Sequence, residues 1–405
     1  MTEGGAAAGW PGPRPGQADD EAEPPLRVST LEIFFDLVFA FTLIQLTSVL
    51  ATQLSWLAVC RVVLVFGLLW WMYGAYAWLT NSRPPVRTAE RLGLLAGMAG
   101  FLIVGIAIPD GFGSYGVVLG LGYLLVVVVH AFLYYRVNTN IMRVAPFNTA
   151  SALLIIVAGL LHGPGGNADV FAYLLWVAAL AVQLGSPLIV HPAGLFQLRA
   201  SHFVERHSAL LIVAIGESVA AVGIGAAEPV SRPGGVSWTL LAIALLGLVV
   251  AAALWWIVFG SGDDERAEQA LTQVGSARRP ALALTAFFYG FIPLLLGLVG
   301  LAAGVLSAVI HVGATGSSAG QAAVLACGAA LFLGGNAAVR RHMRIGPASA
   351  RALAAVLALA TTAVGVVAGL DVQLVVVALI LVAPLLAERA PDREPAGQAD
   401  QDAGG

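Results

Sequence analysis

The residues with the clearest chemical potential are acids set inside apolar runs. Glu217 stands in Ala214-Ile215-Gly216-Glu217-Ser218, eleven residues past Arg206. If the run is a membrane helix, that spacing carries the carboxyl about 16 Å into the bilayer, close to the midplane. A charged side chain there costs about 2.5–3.5 kcal/mol on insertion scales, so such residues default to a functional hypothesis. Gly216 permits close helix approach and Ser218 can hydrogen-bond. The functional reading is an ion or proton site; the structural one is a buried carboxyl bonded to a neighbouring helix.

Glu32 and Asp36 are four residues apart and share one helix face. The functional reading is an acidic mouth continued inward by Gln45. The structural reading makes Glu32 an N-terminal acid with Ser29 or Thr30 as cap. It pairs Asp36 with an arginine such as Arg87 or Arg91. A third group, Ser201-His202-Phe203-Val204-Glu205-Arg206-His207, puts His202 and Glu205 at metal-ligand spacing. Two ligands are too few for a metal centre, so His202, Glu205 and Arg206 are read as an ion-pair cluster at a helix edge. No metal and no cofactor is expected. His130 reads equally as a proton relay or a packing histidine. Arg61 is expected to snorkel to an interface, and the Trp70–Trp71 and Trp255–Trp256 doublets, with Trp78, to sit in an aromatic belt.

The elements that must carry these residues follow from composition. Of 405 residues, 59% are hydrophobic and only 11% charged, whereas soluble domains carry about 25% charged residues. The apolar residues fall in blocks of about twenty, the length that crosses hydrocarbon as a helix. The fold class is therefore all-α, a polytopic membrane helical bundle of about twelve spans. They are placed near 31–50, 55–79, 91–109, 114–136, 144–162, 169–190, 208–226, 237–260, 280–302, 319–339, 350–369 and 371–387. Residues 1–26 and 389–405 read as polar tails.

All twenty basic residues are arginines, and eighteen of them fall in the tails or the even-numbered connections; Arg61 and Arg232 are the exceptions. By the positive-inside rule that end, with both termini, is cytoplasmic and the membrane is the bacterial inner membrane. The lipid bilayer is thus the first partner. No basic patch with interleaved aromatics speaks for nucleic acid, and a homo-oligomer stays open. Cys60 and Cys327 lie in separate apolar runs, which excludes a disulfide framework. No phosphate loop, nucleophile elbow or Cys-x-x-Cys pair is present.

The chain also reads as two halves, 27–195 and 196–388. Thr30–Ala40 can be laid on Phe203–Val213, which sets Glu32 on Glu205 and Gln45 within one residue of Glu217. Each following span carries a Trp doublet, and the fifth and eleventh begin just after Pro146 and Pro347. Six spans per half give parallel repeats about an axis along the membrane normal.

These segments carry a family resemblance. Leu31-Glu32-Ile33-Phe34-Phe35-Asp36-Leu37-Val38-Phe39 resembles the opening signature of the bacterial low temperature requirement A family. His202-Phe203-Val204-Glu205-Arg206-His207-Ser208-Ala209-Leu210, running into Ile215-Gly216-Glu217-Ser218, resembles its second signature, with His207-Ser208 where the family has an aromatic followed by Gly. The resemblance spans about residues 27–388 and implies a multi-span bacterial membrane protein. The stretch Leu31–Ala40 is also similar to the first helix of the six-helix potassium channels marked by Phe-Ser-Asp, with Phe35 in place of their Ser.

The expectation for function is a transporter or channel for a small solute or cation, with Glu217, Ser218, Asp36, Glu32 and Gln45 along its polar path. A membrane-embedded enzyme on a lipid-linked substrate, using the His202–His207 segment, is the first alternative. A non-catalytic partner or sensor is the second, favoured if Asp36, Gln45 and Glu217 face different neighbours.

Overall fold

The computed structural model describes residues 27–135, 143–161, 167–190, 198–231, 236–276, 278–311 and 317–389. The tails expected at either end lie outside this set, apart from Arg389 at the end of the last helix. All regular structure among the described residues is helical. In chain order the helices are α1 (Thr30–Gln53), α2 (Trp56–Ser82), α3 (Thr88–Ala107), α4 (Gly116–Tyr135), α5 (Ala145–Leu160), α6 (Asn167–Val190) and α7 (Ala200–Ser231). They continue as α8 (Trp238–Trp255), α9 (Asp263–Gln273), α10 (Arg279–Ala283), α11 (Phe291–Ile310), α12 (Ala319–Met343), α13 (Ser349–Ala368) and α14 (Leu370–Arg389).

Among the described residues, eleven helical segments are long and apolar enough to cross a membrane. The twelfth expected span, Ala145–Leu160, is apolar but has only 16 residues. Its start is set by Pro146 in the first turn, where a missing N–H costs nothing. Two spans contain wider π-turns, Trp256–Gly260 after α8 and Leu284–Tyr289 joining α10 to α11. One element escaped the sequence reading. The short polar helix α9 lies in the eighth connection and buries Asp263, Ala267 and Leu271, one residue per turn.

Local chemistry sets the helix ends. Ser29 and Glu32 form a reciprocal capping box at the start of α1, and Ser318 with Gln321 does the same for α12. Gly369, at φ 95°, separates α13 from α14 in a conformation that L side chains rarely adopt. The tight connection there makes a true hairpin: Arg351 at the start of α13 pairs with Glu388 at the end of α14.

Within the first part of the chain α1 packs on α2 and α3, α3 on α4, α4 on α5, α5 on α6, and α6 returns to α2. From α7 onward the order recurs: α7 packs on α8 and α11, α11 on α12, α12 on α13, α13 on α14, and α14 returns to α8. Glycines bring backbones together at a seam in each part of the chain. A Cβ on Gly300 of α11 would stand 2.9 Å from the Cα of Gly328 of α12, and one on Gly116 of α4 would stand 2.8 Å from the Cα of Gly159 of α5. Such small-residue contacts replace the hydrophobic drive that helices lack in lipid. The two parts meet along α1, which touches both α7 and α11.

An aromatic core fills that junction. Trp70 is 1% exposed and stacks with Phe66, Tyr73, Phe288 and Phe291. Its Nε1–H donates to the backbone oxygen of Phe288, within the π-turn, at 2.9 Å. The belt position expected for Trp70 is therefore corrected: it is an interior residue joining α2 to the α10–α11 segment. Trp71 is half-buried and donates to Asn148 Oδ1 at 3.0 Å, and Trp78 packs on Phe203. Trp255 and Trp256 keep substantial exposure.

Candidate functional site

The strongest concentration of buried charge lies where α1 meets α7. Because Glu32 and Asp36 are one turn apart, both carboxyls point from α1 toward the same neighbour. His202 and Arg206 are likewise one turn apart on α7 and face them. All four side chains are almost completely buried.

Arg206 bridges the two acids. Its Nη1 donates to Glu32 Oε1 at 2.8 Å and to Thr80 Oγ1 at 2.6 Å, while Nη2 donates to Asp36 Oδ1 at 3.2 Å. The guanidinium also lies 5.4 Å from the ring centre of Phe35 and 5.7 Å from that of Tyr73. Tyr73 donates its hydroxyl to Asp36 Oδ1 at 3.0 Å. The second oxygen of Glu32 accepts the backbone N–H and hydroxyl of Ser29 at 2.9 and 2.8 Å. Asp36 Oδ2 and Arg206 Nε have no hydrogen-bond partner.

His202 is held between Asn81 and Glu32. Asn81 accepts the Arg199 N–H on Oδ1 and donates from Nδ2 to the Arg199 carbonyl, so its amide orientation is set. The same Nδ2 lies 3.3 Å from His202 Nδ1, and His202 Nε2 lies 3.1 Å from Glu32 Oε1. Two buried carboxyls, those of Glu32 and Asp36, thus share one guanidinium.

The sequence-derived candidates divide into three groups. Glu32, Asp36, His202 and Arg206 come together. The arginine that meets Asp36 is Arg206, from the distant α7, and not Arg87 or Arg91. Glu205 turns away to an exposed position, where its Oε2 accepts the Val28 N–H at 3.1 Å. His202 and Arg206 lie in the first two turns of α7, which begins at Ala200, and both are buried. Among the described residues no group of three His, Cys, Asp or Glu side chains is placed to hold a metal.

Glu217 stands apart from that cluster. It lies on the seam of α7 with α1 and α11, half-buried, beside a cavity lined by Leu43, Ile44, Thr47, Ser218, Leu298 and Ala302. Ser218 is satisfied within its own helix by the carbonyls of Ala214 and Ile215, both at 3.0 Å. Neither Asp36 nor Gln45 lines that cavity. Leu43, Leu210 and Ala214 are buried between the two acidic positions. His130 is buried between the rings of Tyr76 and Tyr134.

Sequence reasoning missed Tyr73, Thr80 and Asn81, which complete the cluster from α2. It also missed a second buried network at the same end of the bundle. There Arg340 and Arg351 both bond Asp263 and Glu388, each with a contact of 2.8 to 3.0 Å to each acid. Arg351 further reaches Asn336, and Arg266 reaches Asp263 at 2.8 Å. The available signal was Asn336 and Arg351 inside or at the edge of apolar runs.

Comparison with known proteins places the chain. No solved structure matches it. An uncharacterized protein of Rhizobium meliloti is 25% identical over 294 residues, covering 69% of this chain and 68% of that protein. The profile of the bacterial low temperature requirement A proteins matches residues 27–385, a range that contains every helix described above except the last turn of α14. This chain belongs to the bacterial low temperature requirement A protein family and is a multi-pass membrane protein.

Proposed function

We propose that this protein is an inner-membrane transporter for a small cation or a cation-coupled solute, moving it along the α1–α7 seam between two six-helix halves. The observation that carries this reading is that two buried carboxyls, Glu32 and Asp36, share the single guanidinium of Arg206. With both acids ionised and the His202 imidazole neutral, one negative charge is left over in a buried place. An isolated charge at low dielectric is costly, and a proton or monovalent cation on the seam relieves it. Asp36 Oδ2, buried and without a partner, is the atom that would receive it.

The matching order of helix neighbours in the two parts of the chain supports the repeat. So does the placing of Glu32 and Glu205, each of which contacts the other half near the start of its leading helix. The arginine distribution supports a cytoplasmic location for the cluster. Arg206 then acts as the closed gate on that side. Glu217, about 16 Å further along α7, is the next polar station. In the state described here Leu43, Leu210 and Ala214 occlude the seam between them.

The test is flux of the reconstituted full-length protein with a panel of monovalent cations and a pH-sensitive dye. Flux that falls in Asp36→Asn and in Glu217→Gln supports the reading. Flux unchanged in Glu217→Gln removes that residue from the path, and an absence of flux with every ion removes transport.

One observation favours a second reading. The Glu217 cavity excludes both Asp36 and Gln45, as expected if the α1–α7 cluster is a static lock in a non-catalytic partner or sensor. The enzyme alternative draws no support from the site, because His202 and His207 are fully buried in helix contacts.

A further inference from the structure

The side chain of Arg61 is half-buried and held between helices, at the end of the bundle opposite the arginine-rich connections. Nε donates to the Tyr173 hydroxyl at 2.7 Å and Nη1 to Gln53 Oε1 at 3.3 Å. The guanidinium carbon lies 5.4 Å from the Phe112 ring centre and 5.7 Å from that of Tyr173. All of these partners are neutral. Arg61 forms no ion pair among the described residues, in contrast to Arg206, Arg340 and Arg351.

Two cavities adjoin on this one side chain. The first, about 160 Å³, has an apolar floor of Leu46, Val62, Val65 and Ile108. The second, about 230 Å³, is walled by Leu57, Ala158, Ala172 and Trp176. Arg61 and Phe112 line both. Apolar walls around a few fixed polar groups are what a small-molecule site requires. A guanidinium oriented by a phenol and an amide, with no carboxylate in ion-pair contact, matches the planar, two-oxygen face of an acid group.

We propose that Arg61 is the centre of a binding site for an organic acid, a carboxylate or phosphate monoester carried on an apolar body. The acid group pairs with the guanidinium and the body lies in the adjoining apolar cavity. Asp110 and Asp169 line one cavity each, and their charges disfavour ligands with a second negative group. The same chemistry is offered by a soluble acid and by an anionic lipid headgroup. The site is independent of the α1–α7 cluster and stands whether or not that seam transports.

The experiment is calorimetric titration and thermal unfolding of the full-length protein in zwitterionic nanodiscs, with hexanoate, phenylacetate and hexyl phosphate as probes. Hexanol and hexylamine at equal ionic strength are the controls. Saturable binding by the acids alone is expected, weakened at least ~10-fold in both Arg61→Gln and Arg61→Lys, since an ammonium lacks the planar fork. If those variants do not fold, Asp110→Asn reports instead and is expected to tighten acid binding. Nanodiscs rich in phosphatidylglycerol separate the sources. Acid binding blocked there in the wild type, with lipid retention lost in Arg61→Gln, assigns the site to a lipid headgroup, and undiminished binding assigns it to a soluble acid. Acids that behave like hexanol in the wild type, wild-type affinity in Arg61→Gln, or affinity unchanged in Asp110→Asn would overturn the proposal.

Discussion

Arg206 and Asp36, 170 positions apart in sequence, meet at 3.2 Å inside the bundle, and the same guanidinium holds Glu32 at 2.8 Å. This one residue ties the first helix of the chain to the seventh. It is also what keeps two buried carboxylates tolerable, because burial without pairing carries a full desolvation cost.

Removing the guanidinium should therefore be severe. Arg206→Met is expected to destabilise the protein by about 3–5 kcal/mol, by leaving two buried acids unpaired. Adding Glu32→Gln and Asp36→Asn to that variant should restore much of the loss. Thermal unfolding in detergent of the single and triple variants is the measurement. A triple variant no more stable than Arg206→Met contradicts the pairing account.

The second network gives an internal comparison. Asp263→Ala removes the shared acceptor of Arg340 and Arg351, and a loss of about 3–5 kcal/mol is expected. Glu265→Ala, two residues along on the exposed face of α9, should stay within about 0.5 kcal/mol. Chemical-denaturant or thermal unfolding of the two variants side by side checks the contrast.

Trp70 separates packing from hydrogen bonding. Trp70→Ala empties an interior stack and should cost about 3–5 kcal/mol. Trp70→Phe keeps a ring but leaves the Phe288 carbonyl without its donor, for about 1–3 kcal/mol. Equal stability of the wild type and Trp70→Phe would show that the indole N–H contributes nothing at that π-turn.

The glycine seam makes a steric prediction. A side chain at Gly328 would run into the backbone of Gly300 and Leu301 on α11. Gly328→Val should force α11 and α12 apart and lower the yield of folded protein, whereas Gly334→Ala, whose Cβ meets only a methyl at 3.9 Å, should be silent. Size-exclusion profiles of the two variants in detergent decide it.

How far the sequence spoke depended on whether a signal was local. Span length and hydropathy set most helices to within a few residues, since backbone satisfaction in lipid leaves no other choice, but α7 begins eight residues before the expected span and α11 ends eight residues beyond it. Glu32 and Asp36 declared themselves by type and one-turn spacing. Their partner did not, because nothing local in Arg206 distinguishes a buried clamp from one more arginine at a helix edge. The same limit hid Asp263 with Arg340 and Arg351, which meet only through the packing of α9, α12 and α13. Trp70 was misplaced for a related reason: a Trp doublet near a span end reads as an interfacial belt until the π-turn at Leu284–Tyr289 is seen against it. Glu217 was legible as a mid-span acid, but which neighbours it faces is a property of the α1–α7–α11 seam.

The central claim is that the surplus negative charge of the α1–α7 cluster takes up a proton or monovalent cation during transport. The most direct measurement is cation and proton flux in proteoliposomes, comparing the wild type with Asp36→Asn and using folded protein verified for both. The account predicts flux in the wild type that is lost in Asp36→Asn. Flux that persists undiminished in Asp36→Asn, or a wild-type protein that moves no ion in the panel, would contradict it.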